Sequence, residues 1–227
     1  MIGAEHVPHV SRNAYGTPLV DSLFREAHRV AHGHGLLAYV NADVVLLDDF
    51  RAALERLPAS RFLVAGRRRN LDLGRELMFE DEWQAELRRR ARRAPLAPPW
   101  GSDYFVFPAD GTFARVPPFA VGRAGWDNWL IAKARRERIP VVDATRAITA
   151  VHQAHGYDHI PGYTGSHWGG PESQANAALA RATCGADDGV VFHLWDATHV
   201  LTARGPRRTV RPVAIWRRWR TRRLLAA

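Results

Sequence analysis

The stretch that most constrains the fold is the apolar run 36–40, which ends abruptly in Asn41-Ala42-Asp43. The run is typical of a buried strand, and an amide and a carboxylate follow it at once. Because open α/β sheets bind ligands at the carboxyl ends of their strands, we expect Asn41 and Asp43 to reach a binding site. Their oxygens would suit a divalent cation that bridges a diphosphate. The alternative is that Asp43 only makes a turn or caps the next helix.

Composition restricts the class of protein. A chain of 227 residues with 46% hydrophobic content can form one domain with a sizeable core, which excludes a disordered protein. The sequence has no apolar run long enough to span a bilayer, and its first residues do not resemble a signal peptide. The single cysteine, Cys184, excludes an internal disulfide framework and favours the cytoplasm. The net charge of +9 favours an anionic partner such as a diphosphate, an acidic glycan, a nucleic acid or a membrane surface.

Strand-like and helix-like segments alternate along the chain, which predicts an α/β fold with a mixed sheet flanked by helices. Strands are predicted over 36–40, 61–66, 101–108, 139–145 and 190–194, and helices over 17–31 with Thr17 as N-cap, 48–57, 80–93, 125–138 and 171–183. We expect residues 1–205 to form a single domain and residues 206–227 a basic C-terminal helix or tail.

Two groups of polar residues are candidates for ligand contacts. Arg67 and Arg68 follow the second predicted strand directly, so they either meet a phosphate or form a solvated turn. His152, His155 and His159 lie close together and are metal ligands, ligand contacts or ordinary loop residues. A zinc site that adds Cys184 is disfavoured because the chain lacks a cysteine pair.

An Asn-x-Asp after a strand, an Asp before a helix and a His cluster after one further strand occur in that order. This order resembles the nucleotide-sugar glycosyltransferases of the GT-A fold, and the middle of the chain is similar to a bacterial family-2-like group of them. The resemblance spans about residues 16–176 and is carried by 39–43, 122–129, 142–145 and 152–155.

The resemblance implies a Rossmann-like GT-A domain that transfers a sugar, with inversion, from a nucleoside-diphosphate sugar to a glycan or lipid-linked acceptor. Mn²⁺ or Mg²⁺ would be held by Asp43, with His152 or His155 as a further contact. Asn41 stands where the family usually has its first Asp. Asp127 matches the general base of inverting members, which takes the proton of the acceptor hydroxyl.

Four further residues are candidates for contacts with the acceptor. Trp126 precedes Asp127, and Asn128 and Trp129 follow it. The indoles of the two tryptophans either offer flat faces to a sugar ring or pack in the core. Asp103 begins the strand expected beneath the acceptor, or else makes a turn.

The chain departs from the family at its start. Only 40 residues precede Asn41, and the strand-helix-strand units that hold the nucleotide base need a longer segment. We therefore expect an incomplete nucleotide-binding half, because the true start lies upstream of Met1 or because the domain is shortened. A catalytically impaired GT-A-like binding or scaffold protein is the alternative function.

The segment 215–225 alternates Arg with Trp. It could contact the headgroups of the inner membrane, bind nucleic acid, or form a solvated helix. A peripheral membrane contact is compatible with an enzyme that uses lipid-linked acceptors, and nucleic acid is the less favoured partner.

Overall fold

The structure is a computed structural model that describes residues 4, 6–58, 60–74, 77–156, 169–184 and 191–221. The helices are α1 (Val20–Ala31), α2 (Asp49–Leu54), α3 (Trp83–Arg93), α4 (Trp126–Arg136), α5 (Pro171–Cys184) and α6 (Pro212–Thr221), with a 3-10 helix at Leu194–Asp196. The strands are β1 (Leu36–Val40), β2 (Val44–Leu46), β3 (Leu63–Ala65), β4 (Arg69–Leu71), β5 (Tyr104–Pro108), β6 (Val141–Asp143), β7 (Ala150–Gln153), β8 (His199–Thr202) and β9 (Gly205–Arg208).

Six of these strands form a mixed sheet in the order β1-β5-β3-β6-β8-β9. The three strands β3, β6 and β8 are parallel to one another, whereas β5 runs antiparallel to both β1 and β3, and β9 runs antiparallel to β8. The predicted α/β class with a mixed sheet flanked by helices is confirmed.

The period-2 alternation of strand side chains divides the core between the two faces of this sheet. Phe105 and Phe107 of β5 point to the face covered by α1 and α4, where they pack with Phe24 and Leu130. Tyr104 and Val106 point to the opposite face and pack with residues of α2, β6 and β8. The strands β3, β5 and β6 are therefore buried on both faces, as their continuous apolar sequences predict.

A second, three-stranded sheet of order β2-β7-β4 positions the polar residues that follow β1. β2 is antiparallel to β7, and Val44 lies opposite His152. The backbone N–H of Gln153 also donates to the carbonyl of Asp43 at 2.9 Å. This register places Asp43 beside a histidine that is more than one hundred residues away in sequence.

Several predicted elements need correction. The first strand is an edge strand and only partly buried: Leu36 is 42% exposed. The first helix begins at Val20, and its N-cap is Leu19 rather than Thr17, because the chain before it is extended and bridged to Ala120. The strand predicted over 190–194 is wrong, because irregular backbone and the 3-10 helix occupy 191–196 in the described residues.

The predicted boundary at residue 205 is also corrected, because it falls at the start of β9, which pairs with β8 along its whole length. The helix α6 then packs on the 3-10 helix through a buried ion pair between Arg217 and Asp196. Strand pairing and this ion pair join residues 205–221 to the main domain.

Within the described residues, α1 and β1 are the only helix and strand before Asn41. None of the described helices combines the length and the apolar character that crossing a bilayer requires.

Candidate functional site

The residues after β1, at the end of β7 and in the loop that follows it form a compact group of possible metal ligands. His152 Nε2 lies 3.3 Å from Asp43 Oδ2, and His155 Nε2 lies 2.9 Å from the same oxygen. One ligand atom from each of these three side chains lies within 4.8 Å of the others. The structure thus brings together the three residues that the sequence predicted as metal ligands.

The polar atoms of this group fit a cation. Asp43 Oδ1 and His152 Nδ1 are buried, and neither has a hydrogen-bond partner in the described part of the chain. A buried acceptor without a partner is costly, and coordination of a cation would satisfy the carboxylate oxygen. In the tautomer of His155 that donates its Nδ1–H to the carbonyl of Gly156, at 2.7 Å, Nε2 carries a lone pair that can coordinate a cation.

The charges of the group are coupled. Hydrogen bonding from His152 lowers the pKa of Asp43 well below its usual range, and His155 adds to this effect while burial opposes it. The hydrogen bond to Gly156 and the one to Asp43 raise the pKa of His155. Asp43 is therefore ionised at neutral pH, as a metal ligand must be.

A second group is built around Asp103, which is 6% exposed at the start of β5. Asn41 donates its side-chain amide to Asp103 Oδ1 at 3.1 Å and its backbone N–H to the Asp103 carbonyl at 2.9 Å. Arg68 forms an ion pair with Asp103 Oδ2. An amide at position 41 can donate to this carboxylate, whereas an Asp there would place two carboxylates in contact. The asparagine at position 41 therefore has a local physical reason.

Asp127 lies in the first turn of α4 and is partly buried. Burial raises its pKa to about 7, and the negative charge of Asp103 adds to the rise, although backbone N–H groups at the start of the helix oppose it. A carboxyl group that titrates near neutral pH can accept a proton from a bound hydroxyl at physiological pH.

Tyr39 on β1 was not predicted as a site residue. Its ring packs edge-on against Trp126, with ring centroids 4.6 Å apart. Burial raises the pKa of Tyr39, and the carboxylates of Asp103, Asp43 and Asp127 raise it further. The negative charges of all three carboxylates therefore act on this one phenol. The signal in the sequence is the position of Tyr39 two residues before Asn41, on the strand that delivers the motif.

The two tryptophans predicted to offer flat faces to a sugar are core residues. Trp126 is 4% exposed and packs against Tyr39 and Phe105, and Trp129 is 6% exposed and packs against Phe119. Their apolar rings are buried in the layer between α4 and the sheet, so the prediction of a sugar-stacking role for them is wrong.

The side chain of Asn128 is also engaged within the protein, because it donates to the carbonyl of Phe192 at 2.7 Å. This hydrogen bond ties the start of α4 to the segment before the 3-10 helix. A substrate-binding role for the amide of Asn128 would require that bond to break.

The two predicted phosphate-binding arginines differ in their surroundings. Arg67 donates to the carbonyls of Leu96 and Ala97, so it fastens the segment before β5 rather than facing Asp43. Arg68 pairs with Asp103 and donates to Asn70, and its positive charge also acts on His155, so it is coupled electrostatically to both polar groups. Arg68 is therefore the better placed of the two for an anionic ligand.

An exposed aromatic surface near α4 was also missed. Trp100 is 58% exposed and Trp195 is 39% exposed, and both rings contact His193, with centroids 6.4 and 5.5 Å from it. Burial and the charge of Arg217 lower the pKa of His193 to about 4, so the imidazole between the two indoles is neutral. The sequence signal for Trp100 is its place between Pro99 and Gly101, in a loop just before Asp103.

Two further candidates cannot be placed. His159 belongs to the segment 157–168, which lies outside the described residues, and the side chain of Cys184 lies outside them as well.

Comparisons with protein-family models, with curated protein sequences and with solved structures gave no match to this chain.

Proposed function

We propose that this chain is a metal-dependent glycosyltransferase with a GT-A-like domain, which moves a sugar from a nucleoside-diphosphate sugar to a hydroxyl acceptor with inversion. The observation that carries the proposal is the cluster of metal-ligand type formed by Asp43, His152 and His155, together with Asp127, a carboxyl group with a pKa near 7; the charges of Asp43 and Asp127 both act on Tyr39. Sugar transfer needs both, because the leaving diphosphate must be neutralised and the acceptor hydroxyl must lose a proton.

Asp43, His152 and His155 would hold the cation. When bound there, a divalent ion would supply positive charge to the diphosphate leaving group. Two imidazole nitrogens with one carboxylate suit Mn²⁺ better than Mg²⁺, which prefers oxygen ligands. Arg68, whose charge already acts on His155, would add positive charge for a phosphate.

Asp127 would act as the general base. Its carboxylate accepts the proton of the acceptor hydroxyl as the new bond forms between that oxygen and the anomeric carbon. The bond between the anomeric carbon and the phosphate oxygen breaks in the same step, and the diphosphate leaves with the electron pair. Asp103 and its partners Asn41 and Arg68 would keep a fixed charge beside Asp127 and so help to hold its pKa near neutral.

The acceptor would lie on the surface formed by Trp100 and Trp195, whose rings pack on the buried His193. Its neutral aromatic rings suit the apolar face of a sugar, and the bond from Asn128 to Phe192 ties this segment to the helix that carries Asp127. This surface takes over the role that the sequence assigned to Trp126 and Trp129.

The proposal is tested by incubating the full chain with UDP-, GDP- and dTDP-sugars and Mn²⁺, and measuring release of the nucleoside diphosphate with and without added glycans. We expect chelation by EDTA and the Asp43→Asn substitution to abolish release. The matched control is Asp81→Asn, which changes an exposed carboxylate far along the chain from these groups.

Equal release by the wild type and Asp43→Asn would contradict the metal role. Tight binding of a nucleotide sugar in calorimetry without any turnover would instead favour the alternative, a GT-A-like binding or scaffold protein.

A further inference from the structure

The helix α6 has one buried stripe and one strongly exposed apolar face. Ala214, Arg217 and Thr221 are buried at spacings of three and four residues, which is the period of one helix face. On the outward side and just before the helix, large apolar side chains are exposed: Val210 at 81%, Ile215 at 49%, Trp216 at 50% and Trp219 at 76%. We call these four residues the α6 face.

The orientation of this face is set by a buried ion pair. Arg217 donates through Nε to Asp196 Oδ1 at 2.8 Å and through Nη2 to Oδ2 at 2.6 Å, and Asp196 is fully buried. Arg217 also donates to the carbonyl of Val191 at 2.8 Å. Because the inner side of the helix is held in this way, the apolar side chains remain turned towards solvent.

The surroundings of the α6 face are cationic. Arg220 lies over the ring of Trp216 at 5.2 Å from its centroid. In the β8–β9 hairpin that precedes the helix, Arg204, Arg207 and Arg208 are exposed. The segment 197–221 contains neither Asp nor Glu, so no carboxylate of its own offsets these charges.

We propose that the α6 face binds the surface of a lipid bilayer that contains anionic headgroups. Trp is favoured at the boundary between headgroups and acyl chains, and Val and Ile gain from burial there. The arginines would pair with lipid phosphates. The two indoles could stack on bases but Val210 and Ile215 could not, which favours a bilayer over nucleic acid, and the clustered positive charge disfavours a second copy of the chain.

Co-sedimentation of the full chain with vesicles tests the proposal. We expect binding to vesicles of phosphatidylcholine mixed with phosphatidylglycerol, little binding to phosphatidylcholine alone, and weaker binding at high salt. The Trp216→Ala/Trp219→Ala variant should bind at least about tenfold more weakly, because two indoles are no longer buried in the interface.

Two matched controls are available. Phe79→Ala removes an aromatic ring that is 72% exposed elsewhere, and it should leave vesicle binding unchanged. Arg220→Gln should weaken binding by roughly fivefold, whereas Arg51→Gln, which alters an exposed arginine of α2, should not. Circular dichroism of each variant separates loss of binding from loss of folding.

Equal vesicle binding by the wild type and the double Trp variant would overturn the proposal. Two other outcomes would also overturn it if vesicles are not bound. One is binding to single-stranded oligo(dT) that depends on the two tryptophans, and the other is dimerisation in light scattering that depends on them and on concentration. Each of these outcomes is independent of sugar transfer, so it leaves the proposed function untouched.

Discussion

At the scale of single residues, Asp127 shows two opposing influences on one carboxyl group. The N-terminal turn of a helix stabilises negative charge, and backbone N–H groups there lower the pKa of Asp127. Burial acts in the opposite direction and is the larger effect, so the pKa rises to about 7. Asp43 experiences the reverse balance, because hydrogen bonds from His152 outweigh its burial. The two carboxylates are thereby suited to different tasks, proton acceptance for Asp127 and ligation for Asp43.

A pH profile tests the assignment of Asp127. If it is the general base, kcat/KM should rise with pH and reach half its plateau near pH 7, where Asp127 loses its proton. Asp127→Asn should lower turnover by roughly 100- to 10,000-fold, and the residual rate should no longer show this titration. If the pH profile of Asp127→Asn keeps its midpoint near pH 7, the titrating group is another residue. The control Asp81→Asn should reproduce the wild-type profile.

The same substitution should stabilise the fold. Asp127 has a pKa of about 7 in the folded chain and an ordinary value of 3.8, so the folded state retains a proton that the unfolded state releases between these pH values. Stability therefore falls as pH rises through this window. At pH 8, Asp127→Asn should raise the free energy of unfolding by roughly 1 to 2 kcal/mol, since partial solvent exposure reduces the full linkage effect. An unchanged urea midpoint would contradict the raised pKa.

At the scale of elements, a few polar contacts attach the helix α6 to the rest of the domain. The 3-10 helix at Leu194–Asp196 is capped by His193 and accepts Arg217 of α6 through Asp196. The backbone N–H of Leu194 donates to the carbonyl of Pro99 at 3.0 Å. One short element thus links α6, the loop before β5 and the aromatic surface of Trp100 and Trp195.

Removal of one partner of the Arg217–Asp196 pair should be costly, because it leaves a buried charge without compensation. We expect Arg217→Met and Asp196→Ala each to lower the free energy of unfolding by about 3 to 5 kcal/mol, and the double variant to cost less than their sum. Urea unfolding followed by circular dichroism measures this. The control is Arg51→Met, which breaks an exposed pair with Glu55 at 3.5 Å and should cost under about 1 kcal/mol. Additive losses in the double variant would show that the two side chains do not act as a pair.

At the scale of the whole molecule, the group formed by Asp43, His152 and His155 is assembled from two distant parts of the chain. Asp43 precedes β2, whereas His152 and His155 come from β7 and the loop after it, and pairing of β2 with β7 brings them together. Any ion that binds there binds only the folded chain, so ligand binding and global stability are linked.

Thermal unfolding with Mn²⁺ tests this linkage. At a free Mn²⁺ concentration about one hundred times Kd, the folded state should gain about 2.7 kcal/mol, which corresponds to a rise in Tm of roughly 5 to 10 °C. The rise should shrink at pH 5.5, because imidazoles must be deprotonated to coordinate a metal.

Asp43→Asn should remove the rise, and His34→Asn, a change at an exposed histidine, should preserve it. An equal rise in wild type and Asp43→Asn would show that Mn²⁺ binds elsewhere.

The resemblance to a glycosyltransferase family implied that Asp43, His152 and His155 form one group. The sequence alone determined the α/β class and the strand that directly precedes Asn41-Ala42-Asp43. These features depend on local periodicity and on residue chemistry, which a sequence displays directly. Only the tertiary structure decided the roles of Trp126 and Trp129, because a ring offered to a ligand and a ring buried in a core have the same local pattern. It also decided the partners of Asn41 and Arg68, the exposure of Trp100 and Trp195, and the anchoring of α6. All of these depend on contacts between residues far apart in the chain, so strand register and burial, rather than sequence spacing, determine them.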